Sequence, residues 1–217
     1  TDPLGGSDPY SASKAGTEIV VESYMKSYFK DTESPTLASA RAGNVVGGGD
    51  WSKNRLLPDG VRAFSKQRPL ILRNPLATRP WQHVIEPLYG YMILVEAMNE
   101  DKKFSRPWNF GPTGRNHETV GNTAKRFAAA WGNDAEVVFS EEIQNWKEAT
   151  TLDLNCNETN QHLGWYPLLD LDETLSLTAN WYHENLNSNL VDKMRTFTLK
   201  QINNYVENYA NNTKRTL

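Results

Sequence analysis

Tyr10 and Lys14 stand four residues apart in Asp8-Pro9-Tyr10-Ser11-Ala12-Ser13-Lys14-Ala15, a spacing that on a helix sets their side chains one turn apart on one face. A phenol held beside an ammonium suits proton transfer. A free phenol titrates near ~10, and using its anion near neutrality calls for roughly 4 kcal/mol of extra stabilisation, part of which an adjacent cation supplies. The spacing alone arises readily by chance. Its flanks are more telling: a proline suited to a first helical turn, small residues at Ser11, Ala12, Ser13 and Ala15 that let a flat ring approach, and Gly5-Gly6 just upstream.

The elements that must position this pair are legible from periodicity and breakers. Ser7 or Asp8 caps a helix that carries Tyr10 and Lys14 through Ile19, Val20, Tyr24 and Tyr28 to about Asp31. The run Leu37 to Val46 reads as one buried strand feeding the flexible loop Gly47-Gly48-Gly49-Asp50-Trp51, and in open α/β sheets ligands sit at such carboxyl ends. A helix is expected over Leu56 to Gln67, a strand at Leu70 to Arg73, and a polar-aromatic segment at Thr78 to Val84. The next helix, Glu86 to Asn99, is expected to bury a stripe of Leu88, Tyr91, Met92, Val95 and Met98. Beyond it come a strand and turn in Pro107 to Pro112, a helix from Thr119 to Trp131 ended by Gly132, and strands at Ala135 to Phe139 and Thr151 to Asn155. Helices at Asn157 to Leu163, Leu171 to Leu186 and Val191 to Ala210 complete the chain, with Asn211 to Leu217 fraying.

A chain of 217 residues can bury a real core as one domain or two small ones. A net charge of -3 and pI of about 5.8 provide no basic field for nucleic acid or an anionic membrane, so an anionic ligand must be met by local arginines. The single cysteine, Cys156, cannot form an internal disulfide or a cysteine-rich metal centre, and no metal site is expected. It fits a buried, inert thiol in a reducing cytosol. No apolar run approaches membrane-spanning length, and no basic segment followed by an apolar one opens the chain. Cytoplasmic location is the expectation.

The Tyr10–Lys14 segment resembles the active-site helix of the short-chain dehydrogenase/reductase superfamily. Further runs occur in order: Pro3-Leu-Gly-Gly6, Ala40-Arg-Ala-Gly-Asn-Val-Val-Gly-Gly-Gly-Asp-Trp51, Arg73-Asn-Pro75, Thr78-Arg-Pro-Trp-Gln-His-Val84, Trp108-Asn-Phe-Gly-Pro112, Leu163-Gly-Trp165 and Gln201-Ile-Asn-Asn-Tyr205. Together they resemble the C-terminal part of the CDP-glucose 4,6-dehydratase family, an extended branch of that superfamily. The fold this implies is α/β: an incomplete Rossmann-like parallel sheet plus a small α/β substrate-binding domain. Residues 1–50 would be the remnant of the NAD-binding domain, discontinuous in sequence with about 77–112. Residues 51–76 and 113–190 would form the nucleotide-sugar-binding domain, and 191–217 a C-terminal helix and tail.

The resemblance implies roles. Tyr10 would take the proton from the sugar 4-hydroxyl as hydride passes to NAD, water would leave across C5 and C6, and the hydride would return to C6. Lys14 would hold the NAD ribose and tune Tyr10. Asn44 would reach the sugar and phosphate region, and Arg79 would grip the diphosphate, for which a planar guanidinium is suited. Glu148 lies in Lys147-Glu-Ala-Thr150 where the family tends to carry His-Glu-Ala-His, and His83 is a candidate substrate contact or a core histidine. The family's glycine-rich NAD turn and its Thr-Asp-Lys elimination element do not occur in these residues. The expectation is therefore a partial enzyme, inactive alone, whose uncovered apolar helix faces favour a homodimer. The alternatives are a noncatalytic nucleotide-sugar-binding or protein-interaction module and a fragment of a related NAD-dependent epimerase.

Overall fold

A computed structural model describes residues 4–6, 8–31, 33–112, 117–140, 152–188 and 190–213. Helix α1 (Pro9–Tyr28) opens on an Asp8 cap, whose carboxylate accepts the Ser11 N–H at 3.0 Å, with Pro9 in the first turn. The expected single strand after it is instead two. Strand β1 (Ala40–Ala42) pairs in parallel with β5 (Trp108–Phe110), and β2 (Asn44–Val46) pairs in parallel with β4 (Thr78–His83). The break falls at Gly43, where an added Cβ would lie 2.8 Å from the Pro80 carbonyl oxygen. Only glycine lets β4 approach there, and the chain changes partner at that point.

Helix α2 (Leu56–Phe64) has Leu57, Val61 and Phe64 on one buried stripe and accommodates Pro58 in its first turn. Strand β3 (Leu70–Leu72) pairs in parallel with β7 (Val137–Phe139), and β6 (His117–Thr119) runs antiparallel to β4. Helix α4 (Val120–Trp131) is capped by Thr119 and stopped by Gly132 at φ 70. Helix α6 (Leu171–Asn187) starts with a reciprocal capping box between Asp170 and Glu173. From α2, β3, β4, α4 and α6 come Leu57, Val61, Leu72, Trp81, Phe127, Leu175 and Tyr182, which form one core.

A second core gathers Leu94 from α3 (Ile85–Glu100), Trp108 and Phe110 from β5, and Trp165 from the turn after α5 (Asn157–Leu163). Tyr205 and Tyr209 from α7 (Val191–Thr213) close it. Gln82 on β4 links the cores by donating to the Phe110 carbonyl at 2.9 Å.

Two expectations fail here. Helix α3 turns Pro87, Gly90 and Leu94 inward and packs Tyr91 and Met98 of the expected stripe against the second core, but leaves its Leu88, Met92 and Val95 exposed. Gly90 explains it: an added Cβ would lie 2.4 Å from the Phe110 ring, so the inward face is marked by the residue that permits contact rather than by bulk. Residues 152–156 form no strand. Asp153 and Asn155 accept the backbone N–H groups of Leu154 and Asn157 with their own side chains, which competes with ladder formation. Cys156 is buried, and burial pushes its thiol up to about 11, as an inert packing residue requires.

Candidate active site

On α1 the Lys14 ammonium stands 5.5 Å from the centroid of the Tyr10 ring, so the helical spacing does bring phenol and cation together. The ring is 71 % exposed, and no described residue of α1 is buried. The helix is oriented by polar contacts. Two turns beyond Tyr10, the Glu18 carboxylate receives Nε and Nη2 of Arg41, each at 2.7 Å, and the Ser39 hydroxyl at 2.7 Å. Arg41 also donates to the Asn109 side chain on the adjoining strand β5 at 3.3 Å. Hydrogen bonding from Arg41 holds the Glu18 carboxyl below its usual range. This fork fixes α1 against β1 and so sets where Tyr10 and Lys14 can point.

Asn44 opens β2 opposite Trp81, and Val46 lies opposite His83. Strand alternation therefore places Asn44, Arg79, Trp81 and His83 on one face of the β2–β4 pair. Arg79 is half-buried and donates to the Thr78 carbonyl at 2.8 Å. His83 is buried, and its Nδ1 accepts the Ile85 N–H at 3.3 Å, which leaves the proton on Nε2. Among the described residues Nε2 meets no hydrogen-bond partner, and it points toward Gly47. Burial lowers the imidazole to about 4, so it is neutral at physiological pH. Glu148 lies outside the described residues, and among those described no group of His, Cys, Asp and Glu is placed to hold a metal ion.

The glycine loop at the carboxyl end of β2 is held from below. An added Cβ on Gly48 would fall 2.0 Å from the Trp181 ring, and Gly49 sits at φ +87. Tyr182 donates to the Asp50 carbonyl at 2.5 Å, while Arg62 donates to the carbonyls of Trp51 and Ser52, each at 3.0 Å.

Sequence reasoning missed three polar features. The Glu18–Arg41 fork joins the one charged residue of β1 to α1. Glu86, 1 % exposed, accepts the Leu168 and Leu169 N–H groups at 2.8 and 2.6 Å and the Tyr205 hydroxyl at 2.6 Å. The Tyr182–Asp50 bond ties the loop to α6. A carboxylate opening an apolar helix, as Glu86 does before Pro87, was the available signal for the second.

The Tyr10 hydroxyl and the Lys14 ammonium, both exposed and one turn apart beside small side chains, are groups that could hold the hydroxyls of a nucleotide ribose.

No family model matches the chain. It is 42 % identical over 186 residues to CDP-glucose 4,6-dehydratase of Salmonella typhimurium, covering 83 % of this chain and 52 % of that protein. Among solved structures it resembles dTDP-glucose 4,6-dehydratase from Bacillus anthracis in complex with NAD. That match has a TM-score of 0.65 at 22 % identity and covers 85 % of this chain and 55 % of the other. It also resembles UDP-glucose 4-epimerase from Thermotoga maritima with UDP-glucose, with a TM-score of 0.67 at 20 % identity, covering 82 % and 54 % respectively. The chain spans about half the length of the curated relatives it matches. Its α/β fold is that of the Rossmann-like short-chain dehydrogenase/reductase proteins over the shared half, and its resemblance to CDP-glucose 4,6-dehydratase stands on sequence.

Proposed function

We propose that this chain is the nucleotide-sugar-binding, Tyr–Lys-bearing part of a CDP-glucose 4,6-dehydratase-type lyase acting in the cytoplasm. The single observation that carries the reading is its 42 % identity to the Salmonella enzyme over 186 residues. Arg79 holds the ligand's diphosphate with its planar guanidinium, and Asn44 offers amide donor and acceptor to the sugar and phosphate. Tyr10 carries the proton of the sugar 4-hydroxyl, with the Lys14 ammonium beside it favouring the phenolate. Lys14 also meets the ribose hydroxyls of NAD. When bound, that cofactor supplies reversible hydride acceptance. Glu148 and His83 are proposed to border the nucleotide sugar.

No Gly-x-x-Gly-x-x-Gly spacing occurs in these 217 residues, and on that ground the cradle for a dinucleotide pyrophosphate is proposed to lie outside them. The isolated chain accordingly binds the nucleotide sugar but does not complete the reaction. In a thermal-shift experiment, CDP and CDP-glucose at 100 times Kd are expected to stabilise it by about 2.7 kcal/mol, with little effect from NAD⁺ and no 4-keto-6-deoxy product. Absence of any shift with either CDP ligand would remove the reading. Turnover by the chain alone would remove the claim of inactivity.

A homodimer is proposed through the exposed apolar residues Ile19, Val20, Tyr24 and Tyr28 of α1. Light scattering is expected to give twice the chain mass, and a monomer at high concentration contradicts it.

A further inference from the structure

Trp51 is the exposed tryptophan among the described residues, with 47 % of its surface open to solvent. It sits at the tip of the loop that leaves the carboxyl end of β2, seven residues beyond Asn44. Its ring lies perpendicular to Tyr182, 80° between planes and 5.1 Å between centroids. A perpendicular contact leaves at least one indole face uncovered by Tyr182.

The backbone around the ring is fixed on several sides. Arg62 holds the Trp51 and Ser52 carbonyls, Tyr182 holds the Asp50 carbonyl, and the Asp50 carboxylate accepts the Ser52 N–H at 2.9 Å and pairs with Arg55 at 3.1 Å. Tyr182 itself is fully buried, and Gly48 lies flat against Trp181. An exposed indole on a mobile loop is an ordinary surface residue. Here the backbone that carries the indole is tethered and the ring rests edge-on against the buried Tyr182, so a flat ligand stacking on it incurs little backbone ordering cost. The charged and glycine neighbours Gly49, Asp50 and Arg55 argue against a broad apolar protein contact and for one planar ring.

Building on the reading of this chain as a nucleotide-sugar binder, we propose that Trp51 is a prepositioned platform on which the pyrimidine base of the nucleotide stacks. This makes Trp51 a binding residue that recognises the presence of a base. Stacking is tolerant of which base, so choice among pyrimidines lies elsewhere.

The test is isothermal calorimetry on the full chain with CDP, CDP-glucose and inorganic pyrophosphate, comparing wild type with Trp51→Ala and Trp51→Phe. Trp51→Ala is expected to weaken CDP and CDP-glucose equally, by about 10- to 100-fold, and to leave pyrophosphate unchanged. Trp51→Phe is expected to retain most of the affinity. Circular dichroism melts establish that both variants fold, and an unfolded Trp51→Ala leaves the Trp51→Phe comparison, where a loss of 100-fold overturns the proposal. Equal CDP affinity in wild type and Trp51→Ala overturns the platform while the nucleotide-sugar reading stands. A loss confined to CDP-glucose overturns the base assignment in favour of the sugar. Wild type that binds neither CDP nor CDP-glucose overturns both.

Discussion

Glu86→Ala is expected to lower the unfolding free energy by about 3–5 kcal/mol. The carboxylate sits at the start of α3 with 1 % of its surface exposed and accepts from the Leu168 and Leu169 amides and the Tyr205 hydroxyl. Alanine takes that acceptor away from all of these donors. Each buried donor deprived of its acceptor costs about 1–3 kcal/mol, less whatever water entry recovers. Because the donors come from the turn after α5 and from α7, the loss should undock the C-terminal helix rather than loosen α3 alone. Urea unfolding measures the first effect and hydrogen exchange of the α7 amides the second. Glu86→Gln keeps an acceptor for the two amides and is expected to cost only about 1 kcal/mol.

The same residue has a pH signature. Burial raises the Glu86 carboxyl above its ordinary value of 4.5, more than the opposing hydrogen bonds from Tyr205 and the two amides lower it. The folded state therefore holds a proton that the unfolded state has released. Stability from this group is complete below the unfolded value and is lost as pH rises through the raised folded one. Glu86→Gln should flatten that slope above pH 4.5.

Acidification is expected to act through His83 in the opposite direction, with a cost of about 3 kcal/mol between pH 6.5 and pH 4. Burial lowers its folded-state value from 6.5 to about 4. Between those limits the unfolded chain binds the proton and the folded chain excludes it. The stabilisation is present above pH 6.5 and disappears as pH falls toward 4. His83→Gln offers an acceptor to the Ile85 N–H without titrating, so urea midpoints of this variant should vary less between pH 7 and pH 4.5 than those of the native chain. An unchanged slope would mean that His83 is solvated in solution. Because the Glu86 and His83 slopes overlap and oppose one another, each variant should expose the other group's contribution.

Much of the fold could be read from local chemistry. Pro9 behind Asp8, Thr119 before α4, Gly132 after it and the Asp170–Glu173 pair before α6 mark their helix ends because capping is settled within three or four residues. Long-range geometry was less legible. The partner switch at Gly43 depends on how closely Pro80 approaches from 37 positions away in sequence. On α3 Leu88, Met92 and Val95 of the apolar stripe point outward while Tyr91 and Met98 pack inward beside Gly90, because periodicity records hydrophobicity without recording which side the sheet lies on.

The same division holds at the site. Tyr10 and Lys14 are neighbours by helical arithmetic, and Asn44, Arg79 and His83 share a sheet face by strand alternation once β2 and β4 are paired. The Glu18–Arg41 fork that orients the first group against the sheet joins residues 23 apart and left no periodic trace.

A nucleotide sugar is proposed to lie between these two groups. A crystal structure of the chain with CDP-glucose tests it most directly. The prediction is that the diphosphate oxygens lie within hydrogen-bond distance of the Arg79 guanidinium while the glucose 4-hydroxyl reaches the Tyr10 phenol. A ligand seated elsewhere, or a diphosphate on Arg79 with its sugar directed away from Tyr10, would contradict it.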